Sequence, residues 1–174
     1  ALLEGEAVNV SEKRSVSHHQ CRSHKIGGYQ DRADQVKRFV ENVHSGVCVS
    51  VSGKRFDTVV QIGIGGSVLG AQMCCHALKD FCDVQLRYLF LSTIDPVHVQ
   101  AVFDSLDLET TLFILVSKSG GTAETAFQFD ALRSYLEVKG FGPEYLKLHG
   151  VVVTVPGSLL DLPDDVRGVF YLDE

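Results

Sequence analysis

The sequence predicts an α/β fold of three layers, α/β/α, on a mainly parallel sheet, with a short helical segment in front. Two observations predict it. Short, uninterrupted apolar runs recur between Thr58 and Pro156, and stretches with helical spacing separate them. Strand, helix, strand, helix in this rhythm means right-handed crossovers and strands covered on both faces. A chain of 174 residues, 45% hydrophobic, is also long enough for one ordinary core.

The elements follow in order. The first fifty or so residues are polar, carry His18, His19 and His24, and break at Gly27-Gly28 before a helix over Asp31 to His44. Ala33, Val36, Val40 and Val43 give that helix an apolar stripe, and its acids and bases give it a wet side. Lys54-Arg55 reads as a solvated turn. Strands are expected at Thr58–Ile62, Tyr88–Leu91, Thr111–Val116 and Val151–Val155. Between the first two, Leu69, Met73, Ala77 and Phe81 step by four along a helix; Val97, Ala101 and Leu106 continue the habit less regularly. Asp95-Pro96 opens the second of these helices with a cap and a first-turn proline. The longest helix spans Ala123 to Val138, with Phe127, Ala131 and Tyr135 on one face and Phe129, Leu132 and Leu136 on the adjoining one. Gly140 closes it. Asp164-Asp165 reads as a solvated turn after Pro163.

Composition excludes several partners. A formal charge of −6 argues against nucleic acid, whose phosphates demand a basic face. No run approaches the roughly 18 apolar residues of a membrane span. The acids in Ala1–Glu6 do not suit a secretory leader, and the absence of an initial methionine suggests a processed or truncated chain. Cys21, Cys48, Cys74, Cys75 and Cys82 include no C-x-x-C pair, which fits reduced thiols in a cytoplasmic protein and buried small apolar side chains. Metal binding by Cys74, Cys75, His76 and Cys82 is disfavoured, because adjacent helical residues point about 100° apart. The N-terminal histidines read as surface residues, and His76 and His98 have no paired acid in view.

Ligands of open α/β sheets bind beyond the carboxyl ends of the strands, and two loops there stand out. The first, Gly63-Ile64-Gly65-Gly66-Ser67, follows the strand ending at Ile62. Its glycines admit close approach, and a helix beginning near Ser67 would aim free N–H groups at an anion. Gly66 in particular is expected to need a bare Cα and a positive φ. A dinucleotide fingerprint fails here, since Val68 stands where a third glycine belongs, and a Walker loop fails because Ala71-Gln72 replace its lysine and hydroxyl. A tight turn with no ligand is the plain alternative.

The second loop is Ser117-Lys118-Ser119-Gly120-Gly121-Thr122, with Glu124 in the following first turn. Hydroxyls, a lysine and glycines ahead of a helix compose a monophosphate cradle, favoured by the helix dipole. Thr122 as a simple N-cap would explain only one of the hydroxyls.

These residues resemble a known family. Val60-Gln61-Ile62-Gly63-Ile64-Gly65-Gly66-Ser67-Val68-Leu69-Gly70 is similar to the "IGIGGSxLG" signature of the glucose-6-phosphate isomerase (phosphoglucose isomerase) family. Ser117-Lys118-Ser119-Gly120-Gly121-Thr122-Ala123-Glu124-Thr125 resembles its second signature, and Asn9 to His18 an upstream segment. Gly120 stands where phenylalanine is often found, Gly121 where a hydroxyl residue is usual, and Ser17 and Cys21 where leucines are usual. The resemblance implies a sugar isomerase (SIS) domain over 51–156, an N-terminal helical segment over 1–50 and a tail over 157–174 leading to an absent C-terminal region. It implies an enzyme of glycolysis and gluconeogenesis interconverting glucose 6-phosphate and fructose 6-phosphate, cytoplasmic, homodimeric at full length and without a cofactor or metal. By position, Ser117, Ser119 and Thr122 would supply hydroxyls to the phosphate, with backbone N–H groups around Lys118, Gly120 and Gly121. Gly66 and Ser67 would line the sugar side. The family's arginine, glutamate base, ring-opening histidine and lysine are expected beyond Glu174, so no catalytic residue is assigned in this chain. The alternative reading is a non-catalytic SIS-type phosphosugar-binding regulatory module, which the Asn9 to His18 segment disfavours; a nicotinamide-dependent dehydrogenase is disfavoured by Val68.

Overall fold

The computed structural model describes residues 6–9, 11, 13, 29–82 and 86–172. Val10, Glu12 and 14–18 of the N-terminal segment, with His19, Cys21, His24, Gly27, Gly28 and Glu174, lie outside the described residues.

The chain divides into two units, 1–40 and 41–174. The first contains most of helix α1 (Tyr29–Ser45), where Gln30 Nε2 donates to Asp34 Oδ1 at 2.9 Å and the Arg32 guanidinium lies over the Tyr29 ring. Of the stripe expected along α1, Val43 is buried while Val36 and Val40 are exposed.

The second unit runs β1 (Thr58–Ile62), α2 (Leu69–Leu78), β2 (Arg87–Leu91), α3 (Pro96–Asp104), β3 (Thr111–Val116), α4 (Ala123–Val138), α5 (Leu146–His149), β4 (Gly150–Thr154) and β5 (Gly168–Tyr171). All strands pair in parallel, in the order β2-β1-β3-β4-β5. The expected strands are present, as is α4 with its expected limits. Its end is a Schellman closure: Gly140 takes φ +85°, Phe141 N–H donates to Leu136 O and Gly140 N–H to Glu137 O. At α3 the Asp95 carboxylate accepts the Val97 N–H at 3.0 Å with Pro96 in the first turn, the cap expected there.

The core fills the space between the sheet and α3–α4: Val60, Ile62, Leu91, Phe113, Leu115 and Val152 from the strands meet Val99, Phe103, Phe129, Leu132 and Leu136 from the helices. Tyr135 OH ties the two helices together through Phe103 O, at 3.1 Å. Right-handed crossovers carry the chain from β1 outward to β2 over one face, and from β2 past β1 to β3 and β4 over the other. The chain therefore reverses direction between β1 and β3.

One helix face is uncovered, and two expectations need correction. The stripe Leu69, Met73, Ala77 and Phe81 is exposed, with Phe81 82% accessible, and α2 buries no side chain fully. Periodicity tells which residues share a face, not whether anything covers it. Cys48 is buried, but Cys74 and Cys82 are exposed and Cys75 half-buried, against the reading of all cysteines as core residues. The sheet also continues past residue 156: β5 pairs with β4 within the stretch expected to be a tail. Among the described residues no helix is long and apolar enough to cross a membrane.

Candidate functional site

In open α/β sheets a crevice for ligands forms beyond the carboxyl ends of the strands at the point where strand order reverses, which here lies between β1 and β3. Both sequence-predicted loops lie at the carboxyl ends of these two strands. A third segment, 155–160 after β4, joins them.

The first loop turns sharply out of β1. Gly63 N–H donates to Leu91 O at the end of β2 (3.2 Å), and a Cβ on Gly63 would stand 2.9 Å from Val116 O at the end of β3. Gly65 takes φ +56° and begins a single 3₁₀ turn, Gly65–Ser67, closed by Val68 N–H to Gly65 O at 3.0 Å. Gln61 Nε2 reaches forward to Ser67 O at 2.7 Å and fixes the turn's exit. Gly66 differs from expectation: its φ is ordinary, and an added Cβ would meet nothing within 4 Å. Close approach is required at Gly63 and the left-handed conformation at Gly65, because the strand pairing dictates the first and the turn the second. Gly66 is exposed and Ser67 half-buried.

The second loop is tied to β4 and to the segment after it. Ser117 is turned inward, 3% exposed, and its Oγ accepts the Gly120 N–H at 3.2 Å, so its hydroxyl shapes the loop from beneath. Fully buried Thr154 donates its hydroxyl to Ser117 O (2.8 Å) and lies 2.6 Å from Ser158 Oγ, which accepts the Leu160 N–H at 3.2 Å. Gly120 takes φ +66°, and a Cβ there would come within 2.8 Å of Leu159 N and 2.9 Å of Leu160 N. Above this floor Lys118, Ser119 and Gly121 are exposed and Thr122 half-buried. Ser119 Oγ accepts the Gly121 N–H at 3.2 Å. Thr122 occupies the cap position of α4, but its hydroxyl makes no capping bond; only its carbonyl is engaged, by Ala126 N–H at 3.0 Å. Capping therefore does not account for the Thr122 side chain. The first amides of α4 have no partner within the helix, and the helix dipole adds partial positive charge beside Lys118. The composition suits a small dianion: hydroxyls and one ammonium lie in the loop directly ahead of the free amides of α4, and one carboxylate, Glu124, follows in the helix's first turn.

Sequence reasoning missed Thr154, Ser158 and Gln128. Gln128 is fully buried on α4 and donates through Nε2 to Leu91 O and Thr93 O. A polar residue amid the apolar face Phe129, Leu132, Leu136 was the available signal. It missed His149 too, which is fully buried at the opposite end of the sheet. There His149 Nε2 accepts the Val51 N–H (2.9 Å) and Nδ1 faces Thr111 O (2.7 Å), so Nδ1 carries the proton and the ring is neutral. Burial holds its pKa below the usual imidazole value. Tyr145 stacks on it with ring centroids 4.0 Å apart.

A family model described as phosphoglucose isomerase matches residues 1–157. A glucose-6-phosphate isomerase of Borrelia garinii subsp. bavariensis is 37% identical over 180 residues, covering 94% of this chain and 33% of its own length. Another, from Treponema denticola, is 37% identical over 184 residues, covering 99% and 34%. Among solved structures, a glucose-6-phosphate isomerase from Chlamydia trachomatis superposes with a TM-score of 0.80 at 30% identity, covering 99% of this chain and 33% of that one. A hypothetical protein from Thermus thermophilus shares the fold, with a TM-score of 0.62 at 24% identity. The chain thus spans about a third of the length of the curated relatives it matches.

Proposed function

Because the chain belongs to the phosphoglucose isomerase family, we propose that it carries the phosphate-binding part of an enzyme interconverting glucose 6-phosphate and fructose 6-phosphate. The phosphate lies over Ser117–Thr122. Lys118 supplies charge, the Ser119 and Thr122 hydroxyls donate, and the N–H groups at the start of α4 complete the set, while the Gly120 and Gly121 N–H groups, bonded to Ser117 Oγ and Ser119 Oγ, hold the loop in shape. Ser117 acts from below, holding Gly120 in place. Gly66 and Ser67 line the sugar side. The observation that carries this reading is that the Thr122 hydroxyl makes no capping bond at the α4 N-terminus, beside exposed Lys118 and Ser119, on a floor held by Thr154 and Ser158.

Such a site fixes one end of the substrate and leaves the other free. Isomerisation also needs a base at the carbon acid and a positive group for the developing oxyanion. We assign neither to the two loops, and expect both from parts of the enzyme outside this chain. The enzyme is placed in the cytoplasm, as a homodimer at full length. Calorimetric titration tests the reading: fructose 6-phosphate should bind saturably and a nicotinamide dinucleotide should not. Tighter binding of the dinucleotide would contradict it.

A further inference from the structure

Gln128 sits in the second turn of α4, the helix that begins at the second loop. It is 0% exposed. Its Nε2 spends one hydrogen on Thr93 O (2.9 Å) and the other on Leu91 O (3.2 Å). Leu91 O also accepts the N–H of Gly63, the residue that opens the first loop, at 3.2 Å. One carbonyl at the end of β2 is therefore shared by the first loop and by a side chain from the helix of the second. Gln128 Oε1 has no partner among the described residues. An orphaned buried acceptor is a cost that methionine, of similar length, would avoid. What glutamine offers in exchange is its pair of donors.

We propose that Gln128 is a positioning residue that sets the placement of the Ser117–Thr122 loop relative to the Gly63–Ser67 loop. A ligand that spans both loops gains from their alignment; one that needs only the second does not. This rests on the phosphate-binding reading above. In a sugar phosphate the phosphate occupies the second loop and the sugar reaches the first, whereas inorganic phosphate occupies the second alone. Gln128 thus acts on the affinity ratio between the two ligands.

The test is calorimetry on the full chain and its Gln128→Met variant, with fructose 6-phosphate and inorganic phosphate titrated separately. The expected result is a loss of about tenfold for fructose 6-phosphate and of less than about twofold for inorganic phosphate, in keeping with the loss of one alignment-setting hydrogen-bonded group. If the methionine variant does not fold, Gln128→Asn, one methylene too short to reach both carbonyls, is read by the same ratio. Equal losses for both ligands would show a merely structural role and overturn the proposal, as would no loss for either. If the unaltered chain binds neither ligand, the phosphate-binding reading fails with it; if it binds both and the ratio does not move, this inference alone fails.

Discussion

Gly120 and Gly66 look alike in the sequence and differ in the structure because of residues far along the chain. At Gly120 the backbone is left-handed, and the Leu159 and Leu160 amides occupy the space of a side chain. Gly120→Ala should therefore combine backbone strain with overpacking and lower stability by about 2–4 kcal/mol in urea melts. Gly66→Ala, with open space and ordinary φ, should stay within about 0.5 kcal/mol. Nothing local distinguishes the two glycines, since the 155–160 segment that crowds Gly120 comes from beyond β4. The hydroxyls were legible as a set, but their roles were not: burial turns Ser117 into a support, while Ser119 remains exposed. Ser119→Ala should weaken fructose 6-phosphate by about 1.5–3 kcal/mol, the range for a hydrogen bond to a charged group; unchanged affinity by calorimetry would remove it from the site. His149 gives a pH dependence. The unfolded chain takes up a proton near pH 6.5, whereas the folded chain resists it because burial disfavours the charged ring, and protonating Nε2 would also break the Val51 contact. Its contribution is full above about pH 6.5 and is lost as pH falls below that value. As pH falls below about 6.5, His149→Gln should show a shallower loss of stability per pH unit, by up to about 1.4 kcal/mol.

At the scale of elements, legibility followed burial on both faces. β1, β3 and β4 are continuous apolar runs because helices and loops cover both sides of the sheet, so their pattern announces them. β5, Gly168-Val169-Phe170-Tyr171, is an edge strand with Val169 and Phe170 half-buried and Tyr171 exposed, without such a run, and it passed for a tail. α2 shows the converse: its four-residue spacing marked one face of a helix, and that face stands exposed. Substitution separates the two kinds of helix. Met73→Lys on α2 should leave the stability of this chain within about 0.5 kcal/mol. Leu132→Ala on α4, fully buried against the sheet, should cost about 2–5 kcal/mol. A large loss at Met73 would mean that α2 is packed after all.

For the whole molecule, the parallel sheet with a reversal between β1 and β3 brings both loops to one crevice, and that much followed from motif order and strand ends. The cross-links by Thr154 and Gln128 did not, because they join residues 35 to 37 positions apart without any local pattern. Binding phosphate leaves the proton-transfer barrier largely in place. In an assay coupling fructose 6-phosphate to glucose-6-phosphate dehydrogenase, this chain by itself should give no NADPH above background. The central claim, that the crevice holds a sugar phosphate by its phosphate, is tested most directly by following backbone amide resonances during a fructose 6-phosphate titration. Saturable shifts should concentrate at Lys118 to Thr125, with smaller ones at Gly66 and Ser67, and the amides around His149 at the far end of the sheet should not move. Saturable shifts centred anywhere else, or a loop from Ser117 to Thr122 that stays silent at saturation, would contradict it.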